Sequence, residues 1–208
     1  MKIPENLVST MPLGLHTDMV DLPAPDFALN GSLEEALKGR RSSRAFLSDP
    51  LSLQTLSTLL WAWFGINRRD SGGRTAPSAH NWQEIDIFAV LPEGAYRYDA
   101  TAHRLMLVKA EDLRNATGMQ DFVATAPLNL VYVADVARMH DVQPGEVGFL
   151  AGAAAGCIAQ NVYLYCATAG LATVVRGLID RQRLASALGL STTERITLAQ
   201  TVGRPVAA

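Results

Sequence analysis

The apolar positions of this chain change their period several times, and each change marks a new element. Ser32-Leu33-Glu34-Glu35-Ala36-Leu37 opens as a capped short helix, with Ser32 at the N-cap and Glu35 as the acid of a capping box. A second helix follows Ser52, because Leu53, Leu56, Leu59, Leu60 and Trp63 recur at helical spacing before Gly65 stops them. Residues 66–83 show no such period and read as a loop. From Ile85 the period drops to two: residues 85–90, 95–98 and 104–108 alternate across short turns, one of them Pro92-Glu93-Gly94, and predict antiparallel strands. A polar helix is expected over part of 110–124. Behind Pro127 the predominantly apolar run 128–133 predicts a strand buried on both faces. Residues 171–175 read as a further strand, Asp180 as the cap of a helix through Leu188, and 195–202 as a last strand. The mixture is α+β, without internal repeats or low-complexity segments.

Between the buried strand and the last three elements lies the stretch that organises the others, Pro144 to Leu171. Pro144 suits a helix start, Glu146 a first turn and Gly170 a stop. Gly148, Gly152 and Gly156 recur every four residues along one face, flanked by Ala151, Ala155 and Ala159. Each interior glycine costs roughly 1 kcal/mol against alanine, about 3 for the set, so something is expected to pack against the bare backbone: another helix, a second copy of the chain or a flat ligand. The run is long enough to span a bilayer. Adjacent Gln160 and Asn161 and the weak insertion energy of Ala and Gly argue instead for a buried helix, with no membrane association expected.

The remaining N-terminal residues, 1–31, are broken by Pro4, Pro12, Pro23 and Pro25 and predict an extended arm, with Leu7, Val8, Leu13 and Leu15 lying on a surface. The domain proper is expected over 32–208. Its 49% hydrophobic and 18% charged residues fill one core, and a net charge of −2 makes no case for nucleic acid. No secretory signal is visible, so a cytoplasmic location is expected. Cys157 and Cys166, nine positions apart in one helix and so about 13 Å apart along it, read as small buried hydrophobes in a reducing compartment. His16, His80, His103 and His140 fall in no metal-ligand spacing.

Two stretches carry candidate chemistry. Arg40-Arg41-Ser42-Ser43-Arg44 places three guanidinium groups and two hydroxyls at a helix–loop junction. It is either a solvated basic turn or an anion cradle, since arginine grips phosphate bidentately. Asn81 and Gln83 follow a Pro-Ser turn and offer donor–acceptor pairs that suit the edge of a heterocycle, or else satisfy the turn itself. Trp61, Trp63 and Trp82 fit core or interface better than ligand stacking. No Gly-x-Gly-x-x-Gly follows a predicted strand and no Walker lysine is present, which argues against a Rossmann domain or P-loop.

In order along the chain, residues 40–46, 76–83, Ala159-Gln160-Asn161-Val162-Tyr163-Leu164, Gly170-Leu171-Ala172-Thr173 and Val202-Gly203-Arg204-Pro205 resemble the nitroreductase-like FMN flavoproteins. The hairpin at 94–99 and Leu60-Trp61-Ala62 look most like the SagB-type dehydrogenase branch. The resemblance implies a mostly antiparallel central sheet flanked by helices, in an intertwined homodimer with two FMN sites at the interface. It implies that Arg40 and Ser42 lie near the ribityl phosphate and ring, with Arg41 assisting, and that Arg44 faces the flavin N1/O2 edge. Pro77, Ser78 and Asn81, with Gln83, match a loop that reaches the other subunit's flavin. Val174, Val175, Arg176 and Gly177 match a turn whose backbone N–H approaches flavin N5.

The activity so implied is NAD(P)H-dependent reduction of a small electrophile (nitroaromatic, quinone or enone) by ping-pong hydride transfer at N5. Alternatives are a SagB-like azoline dehydrogenase acting on a modified peptide, or a flavin-binding protein without turnover. Two departures stand out. Glu84-Ile85 replaces the family's usual Pro-Trp, and the chain lacks late basic residues beyond Arg204, for which Arg74 or Arg176 could substitute.

Overall fold

The computed structural model describes residues 17–27 and 31–206. The elements in order are Met19–Asp21 (β1), Leu33–Gly39 (α1), Leu53–Phe64 (α2), Ile66–Arg68 (β2), Gly73–Arg74 (β3), Ile85–Leu91 (β4), Gly94–Asp99 (β5), Arg104–Lys109 (β6), Leu128–Asp135 (β7), Val147–Thr168 (α3), Ala172–Arg176 (β8), Arg181–Leu188 (α4) and Glu194–Gly203 (β9). Seven strands form one sheet in the order β1-β6-β5-β4-β7-β9-β8, with every neighbouring pair antiparallel. The α+β expectation with an antiparallel sheet holds.

The sheet divides two cores because its side chains alternate faces. Ile85, Ile87, Ala89, Leu128, Leu130 and Tyr132 meet Leu56, Leu59, Leu60 and Trp63 of α2 and Ala155, Ile158 and Val162 of α3. Phe88, Val90, Val131, Val133, Ile196 and Ala199 meet Leu184 and Leu188 of α4 on the other side. Strand β7 therefore needs apolar residues on both faces, as its sequence shows. The caps also lie where the sequence placed them: Ser32 Oγ accepts the Glu35 N–H while Glu35 Oε2 accepts the Ser32 N–H at 2.7 Å, Ser52 caps α2 and Asp180 caps α4.

Several expectations are corrected. Residues 66–83 are not wholly loop: β2 and β3 pair as a small hairpin, and Ala79–Asn81 makes one 3-10 turn. No α-helix forms over 110–124. Two 3-10 turns stand there, because the Asp112 carboxylate takes the Arg114 N–H at 3.1 Å and Gly118 lies so close to Arg176 that a Cβ there would sit 1.9 Å from Nη1. Helix α3 begins at Val147 rather than beside Pro144, after a turn closed by the Glu146 N–H to Gln143 C=O at 2.9 Å. It ends as expected, at Gly170 with φ +66° and the Leu171 N–H returning to Cys166 C=O at 2.9 Å.

Helix α3 is buried on one side only. By length and composition it could cross a bilayer, yet Ala151, Ala154, Ala155, Ile158, Ala159, Val162 and Cys166 are spent in the core. The other side is open in the single chain: a Cβ at Gly148, Gly152 or Gly156 would meet nothing within 4 Å, Phe149 is 75% exposed, and Cys157, expected to be buried, is exposed.

The part of the arm carrying Leu7, Val8, Leu13 and Leu15 lies outside the described residues. Residues 17–27 run along the sheet edge as β1 and then cross α2, where Gln54 Nε2 donates to Ala24 C=O at 2.8 Å and the Asp26 N–H to Thr58 Oγ1 at 3.0 Å. His103 fastens this crossing. Its Nε2 lies 3.1 Å from Pro23 C=O and 2.8 Å from Ser57 Oγ, and its Nδ1 lies 2.8 Å from Tyr98 Oη. Burial holds the imidazole below its ordinary 6.5, opposed by the bond to Pro23. The unfolded chain then binds that proton more readily than the folded one. Stability is at its full value above the unfolded pKa of about 6.5 and falls as the pH drops through the lowered folded value. Urea midpoints should decrease between about pH 7.5 and 5.5, and His103→Gln should flatten that dependence.

Candidate active site

Strand β8 is the last of the sheet, so every second N–H and C=O along it faces away from β9 and needs a partner. Thr173 C=O accepts the Ser43 N–H at 2.9 Å. The Val175 N–H donates to Tyr163 Oη at 3.0 Å, and that hydroxyl lies 2.8 Å from Ser42 Oγ. The Arg40 guanidinium lies over the Tyr163 ring, 5.3 Å from its centroid. Further along, Phe46 bridges Pro205 and the Leu47 N–H donates to Arg204 C=O at 2.9 Å. The segment from Arg40 to Leu47 is thus laid along the sheet edge, and Arg40, Arg41, Arg44 and Arg204 come onto one strip. Among the described residues none of the four forms an ion pair. Of the four, Arg41 lines a cavity of about 180 Å³, together with Ser43, Tyr163, Cys166, Thr173 and Pro205 among others.

The second candidate stretch is a rigid loop. His80, Asn81 and Gln83 have φ of 49°, 56° and 51°, left-handed values that cost non-glycine residues of order 1 kcal/mol or more each. Hydrogen bonds hold the loop in this conformation. The Gln83 N–H donates to Ser78 Oγ at 2.9 Å, its C=O accepts from Arg138 Nη1 at 2.9 Å and its Oε1 from Arg74 Nε at 2.8 Å; its Nε2 donates to Gly72 C=O and to Asn81 Oδ1, both at 3.1 Å. Ser78 in turn donates to Glu84 Oε2 at 2.5 Å, while Glu84 Oε1, fully buried, has no protein partner. Pro77, His80 and Asn81 remain exposed, with the His80 ring against Trp82 at 4.9 Å.

Within one chain the two stretches do not meet. Asn161 donates to Trp63 C=O and Thr75 C=O, both at 3.4 Å, on the loop's side of α3, whereas Tyr163 serves the arginine strip. Two residues apart on a helix are roughly 200° apart around it. Nor are Arg74 and Arg176 available as substitute late cations. Arg74 is tied to Gln83 and to Phe64 C=O at 3.2 Å, and burial lowers its pKa.

Arg176 is 5% exposed and points into the second core. Its Nε donates to Thr201 Oγ1 at 3.1 Å, its Nη1 to Thr117 C=O at 2.8 Å and its Nη2 to Asn129 Oδ1 at 3.0 Å. Burial pushes its pKa down to about 10, so it remains a cation at neutral pH. The stretch matched to a turn, 174–177, is strand as far as Arg176; within it the Val175 N–H is committed to Tyr163, and Gly177, just past the strand, is the position with open space, since a Cβ there would meet nothing within 4 Å.

Sequence reasoning quoted Tyr163 in a motif but assigned it no role. Its hydroxyl joins Ser42, Val175 and α3, and partners 121 and 12 residues away leave no local signal. Glu84 did leave one, as the acid that interrupts the pattern after Asn81 and Gln83.

The fold is that of a known class. Residues 37–204 match the nitroreductase family, and the chain belongs to it. A curated relative from Methanocaldococcus jannaschii, named as a nitroreductase, is 32% identical over 171 residues, 77% of this chain and 85% of its own. Among solved structures, a nitroreductase-type protein from Ralstonia eutropha JMP134 is 46% identical, with a TM-score of 0.89 over 94% of this chain and 93% of its own. The fold is shared at lower identity by a chain of the Escherichia coli microcin synthetase McbBCD complex, 19% identical with a TM-score of 0.73 over 98% of this chain and 85% of its own. It is shared too by the NADPH:FMN oxidoreductase of Vibrio harveyi, 22% identical with a TM-score of 0.63 over 84% and 69%. The family supports an oxidoreductase.

Tyr163→Phe removes the acceptor of the Val175 N–H and the partner of Ser42 together. It should destabilise the fold by about 1–3 kcal/mol, measurable as a shift in the denaturation midpoint.

Proposed function

We propose that two copies of this chain form a cytoplasmic homodimer that binds FMN and uses NADH or NADPH to reduce a small electrophile, a nitroaromatic, quinone or enone. The observation that carries this reading is the strip of four arginines that have no carboxylate partner among the described residues, beside serine hydroxyls and a sheet edge. That donor set suits a phosphate joined to a ring whose N1–C2=O edge gains negative charge on reduction. FMN held there would supply the redox chemistry, as a two-electron carrier between nicotinamide and electrophile.

The protein's part is to bind and orient. Arg40 and Arg41 hold the phosphate with Arg204 as the late cation, Ser42 and Arg44 address the ring edge, and the backbone of Val175 and Arg176 at the end of β8, with Gly177 beyond it, borders its reactive side. A second copy supplies the preorganised loop of Pro77, Ser78 and Asn81. Gln83 acts there through the loop's shape, because its amide is already consumed. Support for two copies comes from the uncovered glycine face of α3 and from the placement of strip and loop on different sides of that helix.

A second reading, a SagB-like dehydrogenase of azoline rings in a modified peptide, draws on the fold shared with the microcin synthetase complex along 98% of the chain. Yellow purified protein that bleaches with NADH or NADPH and recolours with menadione or a nitroaromatic is the expected result. Yellow protein that does not bleach favours the azoline dehydrogenase or a flavin-binding protein without turnover, and a colourless monomer refutes all three.

Arg40→Ala should weaken FMN binding by roughly 2 kcal/mol, about 30-fold, in a fluorescence titration. Arg44→Ala should retain FMN but lower its reduction potential; an unchanged potential removes Arg44 from the N1 edge.

A further inference from the structure

The roles above use Arg176 only through its backbone; its side chain is a buried cation that none of them uses, and the fold goes to some length to keep it. Burying an unpaired charge is costly, yet among the described residues no carboxylate pairs with it; every acceptor that holds it is neutral. Gly118 is required for its approach, since a Cβ there would meet Nη1 at 1.9 Å. Asn129 spends both ends of its amide on the arrangement: Oδ1 accepts from Arg176 at 3.0 Å and from Thr201 at 2.6 Å, and Nδ2 donates to Val123 C=O at 2.7 Å. The acceptors around it fix the guanidinium in place but leave its charge uncompensated. The charge itself is therefore the feature to explain, and it sits one residue before Gly177, where the strand end opens.

We propose that Arg176 is an electrostatic tuning residue: its uncompensated charge, fixed behind the end of β8, favours the reduced, more anionic state of the flavin bound at that end. The inference rests on the flavin reading above and extends it. Arg176 touches neither cofactor nor substrate; it acts through the field in a medium that screens poorly. A unit charge acting over about 10 Å at an effective dielectric constant near 20 changes the relative affinity for two states differing by one charge roughly tenfold or somewhat more.

The test is the ratio of dissociation constants for oxidised and reduced FMN, obtained from the reduction potentials of free and bound flavin. Arg176→Gln should lower the preference for reduced FMN about tenfold, or about 30 mV in a two-electron potential. Arg176→Lys keeps the charge but not the hydrogen bonds, so it should lose stability yet retain the ratio. Asn129→Asp keeps the arginine and places a carboxylate beside it, so it should reduce the ratio as Gln does; it also covers the case in which the Gln variant does not fold. A ratio unchanged in the folded neutralising variants, or lowered as much by Lys as by Gln, overturns the proposal. A colourless wild-type protein overturns both the flavin reading and this one, whereas a yellow wild type with unresponsive variants overturns only the role of Arg176.

Discussion

The outer edge of β8 is the constraint on which the rest of the site depends. An edge strand leaves alternate backbone groups without partners, and here they are satisfied by Ser43 and by the hydroxyl of Tyr163. Because Tyr163 belongs to α3 and also meets Ser42, one phenol joins sheet, helix and arginine strip. The strip can then carry several like charges without carboxylate partners, since its backbone is held by the sheet rather than by its side chains. A site that binds an anion has to keep its cations unpaired until the anion arrives, and that is possible only on a scaffold stable without them.

Helix α3 does two jobs with two faces. Its alanine, isoleucine and valine side closes the larger core, and its glycine side stays uncovered in the single chain. Interior glycines cost roughly 1 kcal/mol each, and no described residue of the chain packs against these three to offset that cost. The proposed second copy would offset it, and would also bring the strained loop to the arginine strip. The loop is suited to such a role because its strain is held locally: Gln83, Ser78 and Arg74 restrain three left-handed residues that would otherwise relax.

Much of the fold was legible in the chain. Period-two alternation, the capping box at Ser32 and Glu35 and the apolar run of β7 are local patterns with local causes, so the elements they predict are found nearly in place. The order of motifs was enough to identify the family. The failures share a cause. The polar stretch 110–124 lost its helix because Gly118 accommodates Arg176, a residue 58 positions later, and Cys157 was misjudged because burial of a small residue depends on which side of α3 the single chain covers.

The sequence by itself determined where the capped helices and the strands of the main alternating and apolar runs lie, and which residue types were available to hold an anion, because hydrophobic period and capping act over a few residues. Only the tertiary structure decided which arginines have no carboxylate partner among the described residues. Arg40, Arg41, Arg44 and Arg204 lie on an exposed edge, while Arg74 and Arg176 are taken up by Gln83, Thr117, Asn129 and Thr201. Identical side chains are told apart by burial and by distant partners, and neither is written in the spacing of neighbours along the chain.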